Sequence, residues 1–122
     1  MDREAVGTAG LGRLHVEVRQ DGHTAVFSPS GELDHHTAEL LSGPLAAALD
    51  AGVTRLVIDC AELEFCDSTG LNVLLGARLR AESAGGQVLL AAMRPMVARV
   101  FEITGAEAVF TIHDALDQAL QE

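Results

Sequence analysis

Apolar and polar residues alternate where the patterned part of the chain begins. Leu14, Val16 and Val18 are separated by polar residues, which is the period of a strand with one buried face. Asp21-Gly22 is a hairpin signal, so residues 24–28 are predicted to return antiparallel to the first strand. The chain is therefore expected to open with a β-hairpin.

Strands and helices are predicted to alternate after this hairpin. Further strands are expected at 56–58, 88–90 and 109–112, with a loop over 60–67. Helices are expected from about Thr37, from near Ser68 to Gly85-Gly86, from Pro95 to Gly105, and over 114–120. The core faces predicted for the first three helices are Ala38, Leu41, Leu45 and Leu49; Leu71, Leu74, Leu75 and Leu79; and Val97, Val100 and Phe101.

Pro44 falls inside the first predicted helix. A proline there removes one backbone hydrogen bond and clashes with the carbonyl four residues earlier. Either the helix is kinked at this point, or a new helix starts with Ser42 as its cap and Pro44 in its first turn. The pattern leaves both alternatives open.

Strands that alternate with helices predict an α/β domain with a mostly parallel central sheet. We expect four to five strands and about four helices in a single domain over residues 13–122. Residues 1–12 are polar and glycine-rich without periodicity, and they are expected to form a flexible lead-in.

Charge and composition narrow the classes of partner. The formal net charge is −10, and all eight basic residues are arginines. Nucleic-acid binding needs clustered positive charge, and a Walker A phosphate loop needs a lysine, so both are disfavoured. No cofactor is expected, and a protein or a small ligand is left as the binding partner.

Targeting signals and cysteines are consistent with a cytoplasmic protein. No apolar run approaches the roughly 18 residues that span a bilayer, and no export signal follows Met1. We therefore expect a cytoplasmic location and no membrane contact. Cys60 and Cys66 have neither zinc-ribbon nor redox-motif spacing, so they are expected to be buried thiols, with a regulatory disulfide as the alternative.

The segment 65–71 joins a predicted central strand to a predicted helix, where open α/β sheets place their sites. Ser68 is expected at the N-cap, where its hydroxyl could accept a backbone hydrogen bond. From the local pattern alone, a purely structural cap is the more common role for such a serine.

Two segments of the chain resemble the STAS domain of bacterial anti-sigma-factor antagonists. They are Gly31-Glu32-Leu33-Asp34-His35-His36-Thr37-Ala38-Glu39 and Asp67-Ser68-Thr69-Gly70-Leu71, with Ile103-Thr104-Gly105 as a weaker third. The resemblance spans about residues 14–120. Thr69 departs from a frequent serine, and Ser42-Gly43-Pro44 interrupts the first helix.

The resemblance implies a non-enzymatic switch protein. The free protein is expected to be a monomer, because the chain presents one binding face. Such proteins bind an anti-sigma factor that is also a serine kinase, and this binding releases the sigma factor for transcription. The kinase then phosphorylates the residue matching Ser68, and a serine phosphatase reverses the modification. The implied partner-binding residues are Asp34, Asp67, Ser68, Thr69 and Gly70.

Structural alternatives exist for several of these residues. Asp34 could be a solvated turn or helix-cap residue, and Asp67 could be purely structural. A metal site at His35-His36 is not expected, because adjacent side chains rarely point the same way and no third ligand is spaced to help.

A hydrolase and an interaction module are the two alternative classes of function for the chain. A hydrolase would use Ser68 as nucleophile, but Cys66 replaces the first glycine of the G-x-S-x-G elbow, and His113-Asp114 is in the wrong order for a triad. The remaining alternative is a STAS interaction module of a stress-signalling or transport complex without a phosphoswitch.

Overall fold

Residues 13–122 are described by the computed structural model, and the expected lead-in of residues 1–12 lies outside them. The strands are β1 (Leu14–Asp21), β2 (Thr24–Leu33), β3 (Arg55–Asp59), β4 (Leu63–Cys66), β5 (Gln87–Ala91) and β6 (Thr111–His113). The helices are α1 (Ala38–Asp50), α2 (Ser68–Ser83), α3 (Pro95–Thr104) and α4 (Leu116–Gln121), with a 3₁₀ turn at Ala106–Ala108.

The strands of this part of the chain form one sheet in the order β1-β2-β3-β5-β6, with β4 also paired to β2. Only β1 and β2 are antiparallel, as the hairpin signal at Asp21-Gly22 predicts, and the other pairs are parallel. The predicted α/β class with a mostly parallel sheet is therefore confirmed.

The central strands bury side chains on both faces of the sheet. Phe27 and Ile58 point into the larger core, which also holds the buried faces of α1, α2 and α3. Val57 and Leu89 point to the opposite face, where Ala119 and Leu116 of α4 pack against them. Burial on both faces explains why 56–58 and 88–90 are uninterrupted apolar runs.

Strand β2 has two successive partners along one edge. Its first half, 24–27, pairs with β3, whereas its end, 31–33, pairs with β4, with a register shift between Gly31 and Glu32. The predicted loop over 60–67 is therefore wrong, and the sheet has six strands in the described residues rather than four to five. The missed strand has no period-2 pattern, because Leu63 and Cys66 are buried with two exposed residues between them.

The core face of α2 also differs from the prediction. Leu71 and Leu74 are buried as expected, but Leu79 is 61% exposed, and Ala77 and Ala81 are buried instead. Leu79 lies five residues after Leu74, which turns it by roughly 140° around the helix axis. Small residues rather than leucines therefore continue the buried face of this helix.

Helix α1 runs through Pro44 without a second start, so the alternative with a new helix capped by Ser42 is wrong. Its last buried position is Ala48 rather than Leu49, which is only partly buried.

Element boundaries differ from the prediction near the end of the chain. The last strand begins at Thr111 instead of residue 109, because the 3₁₀ turn intervenes, and the last helix begins at Leu116 instead of residue 114. None of the helices in residues 13–122 has both the length and the apolarity needed to cross a bilayer.

Candidate functional site

Two loops meet at the carboxyl end of the paired strands β2 and β4. One loop leads from Leu33 to α1, and the other leads from Cys66 to α2; Leu33 and Cys66 are partners in the sheet. The backbone N–H of Asp67 donates to the carbonyl of Leu33 at 3.1 Å, which extends this contact by one residue. The missed strand β4 therefore brings the two segments of the resemblance together.

Asp67 binds both loops through its carboxylate. Oδ1 accepts a hydrogen bond from the backbone N–H of Gly70 at 2.9 Å, and Oδ2 accepts one from the backbone N–H of His35 at 3.2 Å. The first bond runs from N-cap to N3, so Asp67 is the N-cap of α2. The prediction that Ser68 occupies the N-cap is wrong, because the carboxylate one residue earlier already takes that place.

Ser68 is the first residue of α2 and is exposed to solvent. Its hydroxyl makes no hydrogen bond within residues 13–122, and neither does the backbone N–H of Ser68 or of the exposed Thr69. The cap role that would have accounted for a serine here is thus filled by another residue. An accessible hydroxyl is left at the start of a helix.

Gly70 is buried and brings α2 into close contact with the end of β2. A Cβ atom at this position would lie 2.6 Å from the Cγ of Leu33 and 2.9 Å from its carbonyl oxygen. Only glycine fits such an approach without displacing one of the two elements. Gly70 therefore has a packing role, and its contact with a partner stays a prediction.

Asp34 stabilises the turn that leads into α1. Its side chain is buried, and Oδ1 accepts hydrogen bonds from the backbone N–H groups of His36 at 2.9 Å and Thr37 at 3.1 Å. Burial raises the pKa of the Asp34 carboxyl, but these hydrogen bonds outweigh it, so that the pKa lies below its usual value. The solvated-turn alternative is wrong for Asp34, whereas the cap-like alternative fits its contacts.

Thr37 is a structural residue of this site that sequence reasoning missed. It is 3% exposed, and its hydroxyl donates to the carbonyl of Glu32 at 2.8 Å and accepts from the backbone N–H of Asp34 at 2.9 Å. The Asp-x-x-Thr spacing before a helix could have indicated it, since both residue types bind backbone groups in such turns.

The two histidines of the first loop are in contact. Their ring centroids are 3.9 Å apart, so the expectation that adjacent side chains point apart is wrong here. His35 is 65% exposed, and its Nδ1 lies 3.7 Å from Oδ2 of Asp67. No group of three or more metal-ligating side chains occurs within the described residues.

The cysteines are free thiols buried in the core. Burial raises the pKa of both thiols to about 12, and nearby carboxylates contribute to the same shift. The prediction of buried thiols is confirmed, and the disulfide alternative is not formed.

The hydrolase alternative lacks the geometry of a triad. His113 lies on β6, which is separated from β2 by β3 and β5, and its Nε2 is 2.7 Å from Oε2 of Glu122. A cavity of about 480 Å³ near Arg19, Thr24 and Arg55 lies at the opposite end of the sheet from Ser68. Neither His113 nor this cavity therefore adjoins the exposed Ser68.

Comparison with protein families identifies the domain. The STAS domain model matches residues 15–119. An anti-sigma F factor antagonist from Paenibacillus polymyxa is 29% identical over 110 residues, covering 89% of this chain and 94% of the relative. A putative anti-sigma factor antagonist, BtrV, from Bordetella bronchiseptica is 33% identical over 89 residues, covering 73% and 77%.

Solved structures show the same fold. An anti-sigma factor antagonist from Mycobacterium paratuberculosis superimposes with a TM-score of 0.81 at 30% identity, covering 88% of this chain and 92% of the other. The unphosphorylated form of the antagonist SpoIIAA gives 0.77 at 26% identity, covering 87% and 93%. The phosphorylated form of the Bacillus cell fate determinant SpoIIAA gives 0.71 at 25% identity, covering 88% and 97%.

Proposed function

Because this chain belongs to the STAS-domain family, we propose that it is an anti-sigma-factor antagonist inactivated by phosphorylation of Ser68. In the active state it binds an anti-sigma factor that is also a serine kinase, and the sigma factor is released. A serine phosphatase restores the unmodified form. The protein acts in the cytoplasm, is a monomer when free, needs no cofactor and has no enzymatic activity of its own.

One observation carries this proposal: the Ser68 hydroxyl is exposed while Asp67 caps the helix. A kinase must reach the acceptor hydroxyl, and a serine engaged as a cap would have to give up its backbone hydrogen bond first. Asp67 also ties the acceptor to the loop of Asp34 and His35, so a partner would meet both segments as one surface. This continuous surface supports roles for Asp67, Ser68 and Thr69 in partner binding, whereas the buried Asp34 supports it by holding the adjoining turn.

Electrostatic repulsion is sufficient to explain how phosphorylation would prevent partner binding. A phosphate on Ser68 adds nearly two negative charges beside Asp67 on a chain whose formal net charge is already −10. A partner carboxylate about 5 Å away would be repelled by a few kcal/mol at an effective dielectric of about 20. Even after screening by solvent, each ~1.4 kcal/mol weakens binding tenfold. Blocked contact is therefore sufficient, without a change of fold.

The test is intact mass after incubation with ATP and each candidate anti-sigma kinase encoded in the same genome. We expect one added phosphate on the wild-type protein and none on Ser68→Ala. Thr69→Ala is the matched control, because it removes the neighbouring exposed hydroxyl and should still accept one phosphate.

Two results would contradict the proposal. Phosphate on Ser68→Ala but not on Thr69→Ala would move the acceptor to Thr69. No phosphate with any kinase, although the protein is folded, would favour a STAS interaction module of a stress-signalling or transport complex without a phosphoswitch.

A further inference from the structure

Few side chains in the two segments that meet at Ser68 can carry a positive charge. Between residues 31 and 40 and between residues 66 and 72, the only side chains that can carry a positive charge are His35 and His36. The acidic side chains of the same segments, and of the first turn of α1, are Glu32, Asp34, Glu39 and Asp67. A new anion at Ser68 would therefore find histidine as its cationic neighbour and no arginine within these segments.

His35 is the better placed of the two histidines. Its backbone N–H is bonded to Oδ2 of Asp67, and its ring Nδ1 lies 3.7 Å from the same oxygen, one residue before Ser68. The ring is 65% exposed, so a larger anion can reach it from solvent. The His36 ring lies against one side of it, tilted by 40° and at 3.9 Å between centroids.

Asp67 already places a carboxylate beside Ser68. Its Oδ1 is held by Gly70, and its Oδ2 is held by the backbone of His35, so the carboxylate stays next to Ser68. A phosphate on Ser68 adds charge of the same sign beside it. A positive charge on the neighbouring imidazole would relieve this repulsion.

We propose that His35 is the counter-ion of phosphoserine at position 68, so that the phosphorylated state is stabilised when His35 is protonated. Histidine changes its charge between about pH 5 and 8, and the second ionisation of phosphoserine falls near pH 6. Only the use of this pairing in the proposed switch rests on the proposed function.

The experiment uses the full chain with phosphoserine incorporated at position 68 by genetic code expansion, so no kinase is needed. The ³¹P chemical shift of the phosphate is followed from pH 4.5 to 9 in this protein and in the same protein carrying His35→Gln. Glutamine keeps the backbone N–H that binds Asp67 but cannot carry a charge. His36→Gln and the remote exposed His23→Gln are the matched controls.

We expect the phosphate to titrate several tenths of a pH unit higher in His35→Gln, because the imidazolium favours the dianion. His23→Gln should leave the midpoint unchanged, and His36→Gln should shift it less than His35→Gln. Equal midpoints with and without His35 would overturn the pairing, as would a larger shift for His36→Gln. Since the phosphate is installed directly, these outcomes are independent of whether a kinase modifies Ser68.

Discussion

At the scale of single residues, neighbouring polar side chains at the start of α2 have different roles. Asp67 holds the helix end and the adjoining loop, whereas the Ser68 hydroxyl makes no hydrogen bond within the described residues. The same four letters, Asp-Ser-Thr-Gly, therefore contain a cap, an accessible hydroxyl and a packing glycine. Stability and accessibility are assigned to different residues, so each can be tested separately.

Truncation of Asp67 should destabilise the protein, and truncation of Ser68 should not. Asp67→Ala removes a cap and the bond to His35, so we expect a loss of about 1–2 kcal/mol in the free energy of unfolding. Ser68→Ala should stay within about 0.5 kcal/mol of wild type, as for other exposed substitutions. Urea denaturation of both variants measures the difference, and Asp67→Asn is the control that keeps a capping oxygen. Equal losses in the two alanine variants would contradict this division.

At the scale of secondary-structure elements, the position of α2 depends on its contact with the end of β2. The contact is possible because Gly70 lacks a side chain, which lets the helix approach Leu33 closely. Strand β4 also fixes the start of α2 relative to β2, since Cys66, just before the helix, pairs with Leu33. The start of the helix is thus held by a strand pairing, a glycine contact and a cap.

Two glycines of α2 should respond oppositely to alanine. Gly70→Ala places a Cβ against Leu33, and we expect a loss of about 1–3 kcal/mol in stability together with slower phosphorylation of Ser68. Gly76→Ala is the matched control, because its Cβ meets nothing within 4 Å and helix propensity should stabilise the protein by up to about 1 kcal/mol. Thermal denaturation and initial rates of phosphate incorporation report on the two effects. A neutral Gly70→Ala would show that the helix start can shift without cost.

At the scale of the whole molecule, the buried core and the proposed binding surface lie in different places. The larger core lies between the sheet and α1, α2 and α3, and both cysteines belong to it. The polar residues of the site lie where β2 and β4 end. A modification at Ser68 can therefore change the surface without entering the core.

The buried thiols should make the fold sensitive to alkaline pH. Each has a pKa of about 12 in the folded protein against a reference of 9.0, so the stability they contribute is complete below about pH 9. This stability is lost as the pH rises towards 12, because the thiols of the unfolded chain ionise first. At pH 10 we expect each thiol to have lowered the free energy of unfolding by about 1 kcal/mol. Urea denaturation from pH 7 to 10.5 measures this slope.

The double variant Cys60→Ala, Cys66→Ala is the control for this alkaline effect. It should be less stable at neutral pH but should lose the part of the slope that belongs to the thiols. An unchanged slope in the double variant would assign the alkaline sensitivity to other groups.

Periodicity and turn chemistry alone determined most of the architecture. The hairpin, the buried strands, the number of helices and the α/β class follow from patterns that span a few residues, such as the apolar run 56–58 or Gly105 after α3. The segments around Asp34 and Ser68 could also be singled out, because their residue types resemble those of a known family.

Tertiary structure decided what lies outside any local pattern. Strand β4 exists because β2 offers it a free edge, and Ala77 and Ala81 are buried because α2 faces the sheet on that side. Asp67 rather than Ser68 is the N-cap, because its carboxylate accepts hydrogen bonds from the backbone N–H groups of Gly70 and of His35, which is 32 residues away in the chain. A hydrogen bond across that separation depends on how the strands pair, and no short stretch of sequence carries that information.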